Sequence, residues 1–137
     1  MNDNPFVGKW SYRSFYNDPD LKTPLSDLQL GAGTIVIEEA PLDALKGTIG
    51  GEGWSLKLRG SRSYGNPMET RFQGTGVVSG EEWIYDYLAY LSPLWPNGIQ
   101  QRAALVGTIV RTVSHKSSTG GVSPAGVVGS WYAVKQG

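Results

Sequence analysis

Turn-forming clusters recur along this chain at a nearly regular beat, and the beat constrains the fold more than any other feature. "YNDPD" (16–20) opens a long connection to Gly31, and "EAPLDA" (39–44), "GGEG" (50–53), "YGNP" (64–67), "VSGE" (78–81), "SPLWPNG" (92–98) and "HKSSTGGVSPAG" (115–126) follow. Each combines Gly, Pro, Asn, Asp or Ser, residues that supply positive φ, a fixed φ or local side-chain hydrogen bonds in tight connections. The segments between them, 7–16, 32–39, 45–50, 54–62, 68–78, 82–91, 102–114 and 127–136, read as eight strands rich in Val, Thr, Tyr and Trp. Connections this short make successive strands antiparallel neighbours. Eight strands in simple succession leave two open edges unless the last pairs with the first, and a sheet of that size closes comfortably. The expectation is all-β: an eight-stranded antiparallel up-and-down barrel, one domain over 1–137, with a sandwich of the same strands as the rival. Segment 20–30 holds one helical turn at most, with Thr23 as its cap and Pro24 in its first position.

Alternation divides the expected barrel into unlike parts. Leu56 and Leu58 alternate with Ser55, Lys57 and Arg59, and Met68, Thr70 and Phe72 alternate with Glu69, Arg71 and Gln73, as in walls with one dry and one wet face. The last three strands break the rule. Trp83, Tyr85 and Tyr87 share one face of the sixth strand, while Ile84, Leu88 and Tyr90 share the other. The seventh strand is apolar on both faces apart from Arg111 and its threonines, and "VVGSWYAV" in the eighth carries no charge. An apolar outer face across three strands is a large patch for a monomer, so these strands predict a homo-oligomer built on them.

Composition narrows the partners. Twelve basic residues balance twelve acidic ones, which argues against a nucleic-acid stripe or a polybasic membrane patch. The chain has no cysteine, so disulfides and thiolate metal sites are excluded. "MNDNPFVGKW" shows neither the cationic start nor the apolar core of a signal peptide, and no segment approaches a transmembrane helix, so the expected setting is cytoplasmic. Stretches such as "GTIGGEG" and "GTGVVSG" precede no helix, so they lack the helix N-terminus on which a phosphate loop depends. No cofactor and no metal site is expected.

The first strand opens with Gly8-Lys9-Trp10, a G-x-W at the start of an up-and-down barrel. In this it resembles the avidin/streptavidin family and, more distantly, the lipocalins. The resemblance implies that Trp10 packs near the closed end, that the loop after the first strand covers an open mouth, and that the later strands oligomerise. It does not carry biotin chemistry: avidins place an Asn two residues after that tryptophan, where this chain has Tyr12.

With the first strand rising from the closed end, loops 17–31, 51–53, 79–81 and 115–126 fall at the mouth and loops 40–44, 63–67 and 92–101 at the floor. Trp95 is then expected as a floor plug near Phe6 and Trp10. Trp10, Tyr12, Ser14 and Tyr16 share a parity, so an inward tryptophan brings two tyrosines and a serine inside with it. Those residues either line a cavity offering hydroxyls to an apolar guest or fill a solid core. The candidate ligand-binding wall is Tyr12, Ser14, Tyr16, Trp83, Tyr85 and Arg111, and no catalytic set is defensible. Arg111 needs a partner: Asp86 or Glu82 in an ion pair, or an anionic ligand. His115, the one histidine, reads as a solvated loop residue. Three functions compete: a non-enzymatic oligomeric barrel binding a small apolar molecule, a small-barrel enzyme resembling allene oxide cyclases, or an interaction protein with a filled interior.

Overall fold

The computed structural model describes residues 4–117 and 120–137; residues 1–3 of the amino-terminal stretch and 118–119 of the expected loop 115–126 lie outside the described residues. The elements in chain order are β1 (Gly8–Tyr16), α1 (Leu25–Leu28), β2 (Gln29–Glu38), β3 (Ala44–Gly51), β4 (Trp54–Ser63) and β5 (Glu69–Val78), then β6 (Glu81–Leu91), β7 (Ala104–Arg111), β8 (His115–Lys116), β9 (Val122–Ser123) and β10 (Val128–Lys135). Strands β1 to β7 pair antiparallel in succession, β7 pairs with β10, and β10 returns to β1 with Trp10 opposite Lys135 and Tyr16 opposite Gly129. The result is the closed eight-stranded antiparallel barrel that the turn beat predicts. Closure of β10 on β1 rules out the sandwich, because every barrel strand has two neighbours.

Two local expectations need correction. Thr23 caps no helix: its hydroxyl donates to Asp18 at 3.1 Å, inside a turn held by Asp18 and Asp20, and Pro24 occupies the cap position of the single turn α1. The seventh strand stops at Arg111 instead of running to 114, and the chain then forms a separate two-stranded hairpin from β8 and β9. Gly126, at a φ of 89°, lets the returning chain bend back so that its amide bonds the Arg111 carbonyl at 2.7 Å.

Inward positions follow the predicted parity. At the floor, Phe6 and Trp10 are fully buried, and the Trp10 indole donates to the Phe6 carbonyl at 3.0 Å. Above them Tyr12, Phe72, Tyr87 and Trp131 pack edge-on or tilted, with centroids 5.2 to 6.3 Å apart. Such pairs add to burial through ring quadrupoles. Small inward residues make room for this aromatic layer. A Cβ on Gly74 would sit 3.3 Å from Leu56, Leu58 and Tyr87, and one on Gly107 would lie 1.7 Å from the Leu88 carbonyl of the next strand. Trp95 is not part of the floor. It is 70% exposed, because the Gln101 side chain clamps its backbone at both N–H and C=O and turns the loop outward, while Phe6 occupies the place the plug reading gave it.

On the outer surface Tyr90, Val106 and Tyr132 lie opposite one another across β6, β7 and β10, and Asp86, Val110 and Val128 form a parallel row. Tyr90, Val106 and Val128 are exposed.

Candidate functional site

Above the aromatic layer the interior opens into a cavity of about 210 Å³. Tyr12 and Ser14 reach it from β1, Trp54 and Leu56 from β4, and Trp83 and Tyr85 from β6. The cavity continues into a wider mouth that shares Trp54, Trp83 and Tyr85 and adds Tyr16, Arg111 and His115. All six residues that the sequence nominated therefore meet at one end of the barrel. Tyr12, Ser14, Tyr85 and Arg111 are buried there, Trp83 is half-buried, and Tyr16 stands at the rim.

Arg111 ends β7 at the level of the mouth. Its Nε donates to the Tyr85 hydroxyl at 2.8 Å and its Nη1 to the Pro124 carbonyl at 3.2 Å, with the guanidinium 5.6 Å from the centre of the Tyr85 ring. The expected ion pair with Asp86 or Glu82 does not form. Asp86 points outward and accepts from Gln73 at 2.8 Å, and Glu82 is exposed, because both carry the opposite parity to Tyr85. Burial works against the Arg111 charge, but the Tyr85 and Tyr16 hydroxyls more than offset it and hold the guanidinium above its ordinary pKa.

His115 corrects the sequence reading most sharply. It is buried, not solvated: it stacks on Trp83 with centroids 4.2 Å apart and lies 2.8 Å from the Tyr85 hydroxyl through Nε2. Its Nδ1 lies 3.0 Å from the Lys116 carbonyl, which can only accept, so the proton sits on Nδ1 and Nε2 accepts from Tyr85. The hydrogen bonds thus run in one direction: Arg111 to Tyr85, Tyr85 to His115, His115 to the backbone. Alternation could not have found His115, because β7 ends at Arg111 and His115 belongs to the separate β8–β9 hairpin. Trp54 was legible, because it shares β4 and its inward parity with Leu56 and Leu58.

The tyrosines of the cavity are held neutral. Burial pushes Tyr12 up to about 12, with Ser14 and Tyr87 as smaller influences, and raises Tyr85 despite the opposing effect of Arg111. Burial also pushes Tyr87 well above its ordinary value. These hydroxyls therefore act as neutral donors and acceptors. One donor has no acceptor at all: the Trp83 indole N–H is buried without a partner. An orphaned donor of this kind costs about 1–3 kcal/mol. Among the described residues no three His, Asp or Glu side chains gather where they could hold a metal ion.

No family model matches the chain, and no curated protein and no solved structure matches it either.

Proposed function

We propose that the chain is a non-enzymatic binding barrel of streptavidin-like architecture that takes a small, largely apolar molecule into the upper half of its interior. One observation carries this reading: the barrel is solid at the floor yet leaves about 210 Å³ open beneath its mouth, walled by aromatic rings. A pocket of that size suits a ligand smaller than a typical drug, whose sites run to roughly 300–1,000 Å³. The filled-barrel alternative loses support for the same reason.

The working form in this proposal is a homo-oligomer that covers the apolar rows on the outer faces of β6, β7 and β10. Native mass spectrometry of the purified protein tests both parts. A co-purifying small molecule and an oligomeric mass are expected, with Leu88→Glu giving monomers. A monomeric wild type at micromolar concentration removes the oligomer. An empty barrel that also leaves tryptophan fluorescence unchanged in the presence of both neutral and anionic aromatic probes removes the binding reading.

A second reading, a small-barrel enzyme resembling allene oxide cyclases, is favoured by the directed chain from Arg111 through Tyr85 to His115. A hydroxyl held between a cation and an imidazole is suited to moving a proton at a bound substrate. Tyr85→Phe separates the readings: an enzyme loses turnover of a bound lipid while still binding it, and a carrier has no turnover to lose.

A further inference from the structure

Arg111 is a cation whose neighbours supply hydrogen bonds but no opposite charge. It is only 4% exposed, and each group that fixes it is neutral: the Tyr85 hydroxyl, the Pro124 carbonyl and the Tyr16 hydroxyl. No carboxylate among the described residues pairs with it, although Arg62 pairs with Asp43 and Arg71 with Glu69 elsewhere on the chain. A buried cation without a counter-charge is costly, and such charges are ordinarily paired. The acidic residues nearest in the fold are placed otherwise. Glu81 lines the mouth but accepts from the Lys116 amide at 3.1 Å, and Glu52 sits exposed on the turn between β3 and β4. Arg111 therefore lines the mouth of the barrel with no carboxylate among the described residues paired to it.

The surroundings also indicate what kind of anion would match it. Trp54 and Trp83 belong to the walls of both the mouth and the deeper cavity, with ring centroids 6.3 Å apart, and Leu30 lies with them. Below Arg111 the space is apolar, apart from hydroxyls that burial keeps neutral. A carboxylate supplies only acceptors, which is what the donors of the Arg111 guanidinium require. A bare inorganic ion would leave the aromatic walls empty, and a neutral hydrocarbon would leave Arg111 unpaired.

We propose that the mouth cavity binds a small organic carboxylate, with its acid group on Arg111 and its apolar body inserted past Trp54 and Trp83. This rests on the binding-barrel reading and adds the class of ligand. The acid end enters last, because Arg111 belongs to the mouth and not to the deeper cavity. Charge-assisted hydrogen bonds are about twice as strong as neutral ones, so the acid group and not the skeleton should dominate discrimination.

Calorimetry with matched pairs on three skeletons tests this: benzoate and benzamide, 3-phenylpropanoate and 3-phenylpropanamide, octanoate and octanamide, with inorganic phosphate as the bare anion. At least one carboxylate is expected to bind tenfold or more tighter than its amide, and phosphate weaker than that carboxylate. Arg111→Gln should bring the pair to within about twofold by weakening the acid while leaving the amide unchanged. Arg111→Lys, which keeps a cation at the site, should retain a preference for the acid, and circular dichroism of both variants should show an intact barrel. Amides that match their acids in the wild type, discrimination that survives Arg111→Gln, or phosphate as tight as the best carboxylate would each overturn the assignment while leaving a binding barrel in place. Failure of every acid and every amide to bind would overturn the ligand class together with the binding reading beneath it.

Discussion

The two ends of the barrel interior are made by the same alternation on the same strands, yet one end is solid and the other hollow. At the floor, Gly47, Gly60, Ala89, Gly107 and Ala133 occupy inward positions, and the large rings of Trp10, Phe72 and Trp131 pack into the room they leave. At the mouth large inward residues, Trp54, Trp83, Tyr85 and Arg111, stand beside small ones such as Ser14 and Gly31. These side chains brace one another near the wall, as the stack of His115 on Trp83 does. Hollowness here comes from small inward residues whose space stays unfilled, beside large ones whose polar tips find partners along the wall. A floor tryptophan is therefore expected to act on stability and a mouth tryptophan on binding.

The sharpest way to break that comparison is to truncate one tryptophan at each level. Trp10→Ala removes a fully buried ring together with its hydrogen bond to the Phe6 carbonyl. It should cost about 3–5 kcal/mol, the range for large-to-small changes in packed cores. Trp54→Ala, on a half-exposed ring beside existing empty space, should cost less than about 2 kcal/mol. Denaturant midpoints of the two variants measure the difference. Equal losses would mean that the mouth is as much core as the floor.

Alkaline pH sharpens the comparison next. Tyr12 stands where the solid and hollow halves meet, and burial pushes it up to about 12. The sign follows from linkage. Between pH 10 and about 12 the unfolded chain ionises this tyrosine and the native chain does not, so the contribution is fully present below pH 10 and is lost as pH rises through the folded value. A shift of that size corresponds to roughly 2–3 kcal/mol. Tyr12→Phe should flatten part of the alkaline decline in stability, with Tyr85 and Tyr87, which are also raised, supplying the rest. A variant that melts with the same pH dependence as the wild type would show that Tyr12 is not desolvated.

What the sequence made legible follows from periodicity. The turn beat gave eight strands and closure of the barrel, because period-two alternation and tight-turn chemistry are local properties of the chain, while it left open whether the interior is filled or hollow. The same alternation placed Tyr12 and Ser14 together inside with Trp10, while the inward faces of the sixth and seventh strands, with Tyr85 and Arg111, had no such pattern to fix them. The errors fall where the chain leaves the barrel wall. His115 was misplaced because the strand before it breaks at Arg111 and the following hairpin folds back over the mouth. The Arg111 ion pair was misplaced because adjacency in a sheet was taken as contact, although Asp86 and Glu82 point to the other face. Loop direction and side-chain face depend on tertiary packing that no short window contains.

Trp95 gives the smallest effect and the cleanest contrast with Trp10. Both were placed at the floor on sequence grounds, but Trp95 is 70% exposed while Trp10 has no exposed surface. Its loop is held through the backbone: the Trp95 N–H donates to the Gln101 side-chain oxygen at 2.6 Å, and the Gln101 amide donates to the Trp95 carbonyl at 2.7 Å. Neither bond uses the indole. Trp95→Ala should therefore shift stability by no more than about 0.5 kcal/mol, the range for surface substitutions. Gln101→Ala, which removes both clamps, should cost more than Trp95→Ala despite deleting a smaller side chain. Paired denaturation curves decide the matter. A loss from Trp95→Ala approaching that of Trp10→Ala would restore the indole to the floor and make the solid half of the barrel deeper than described.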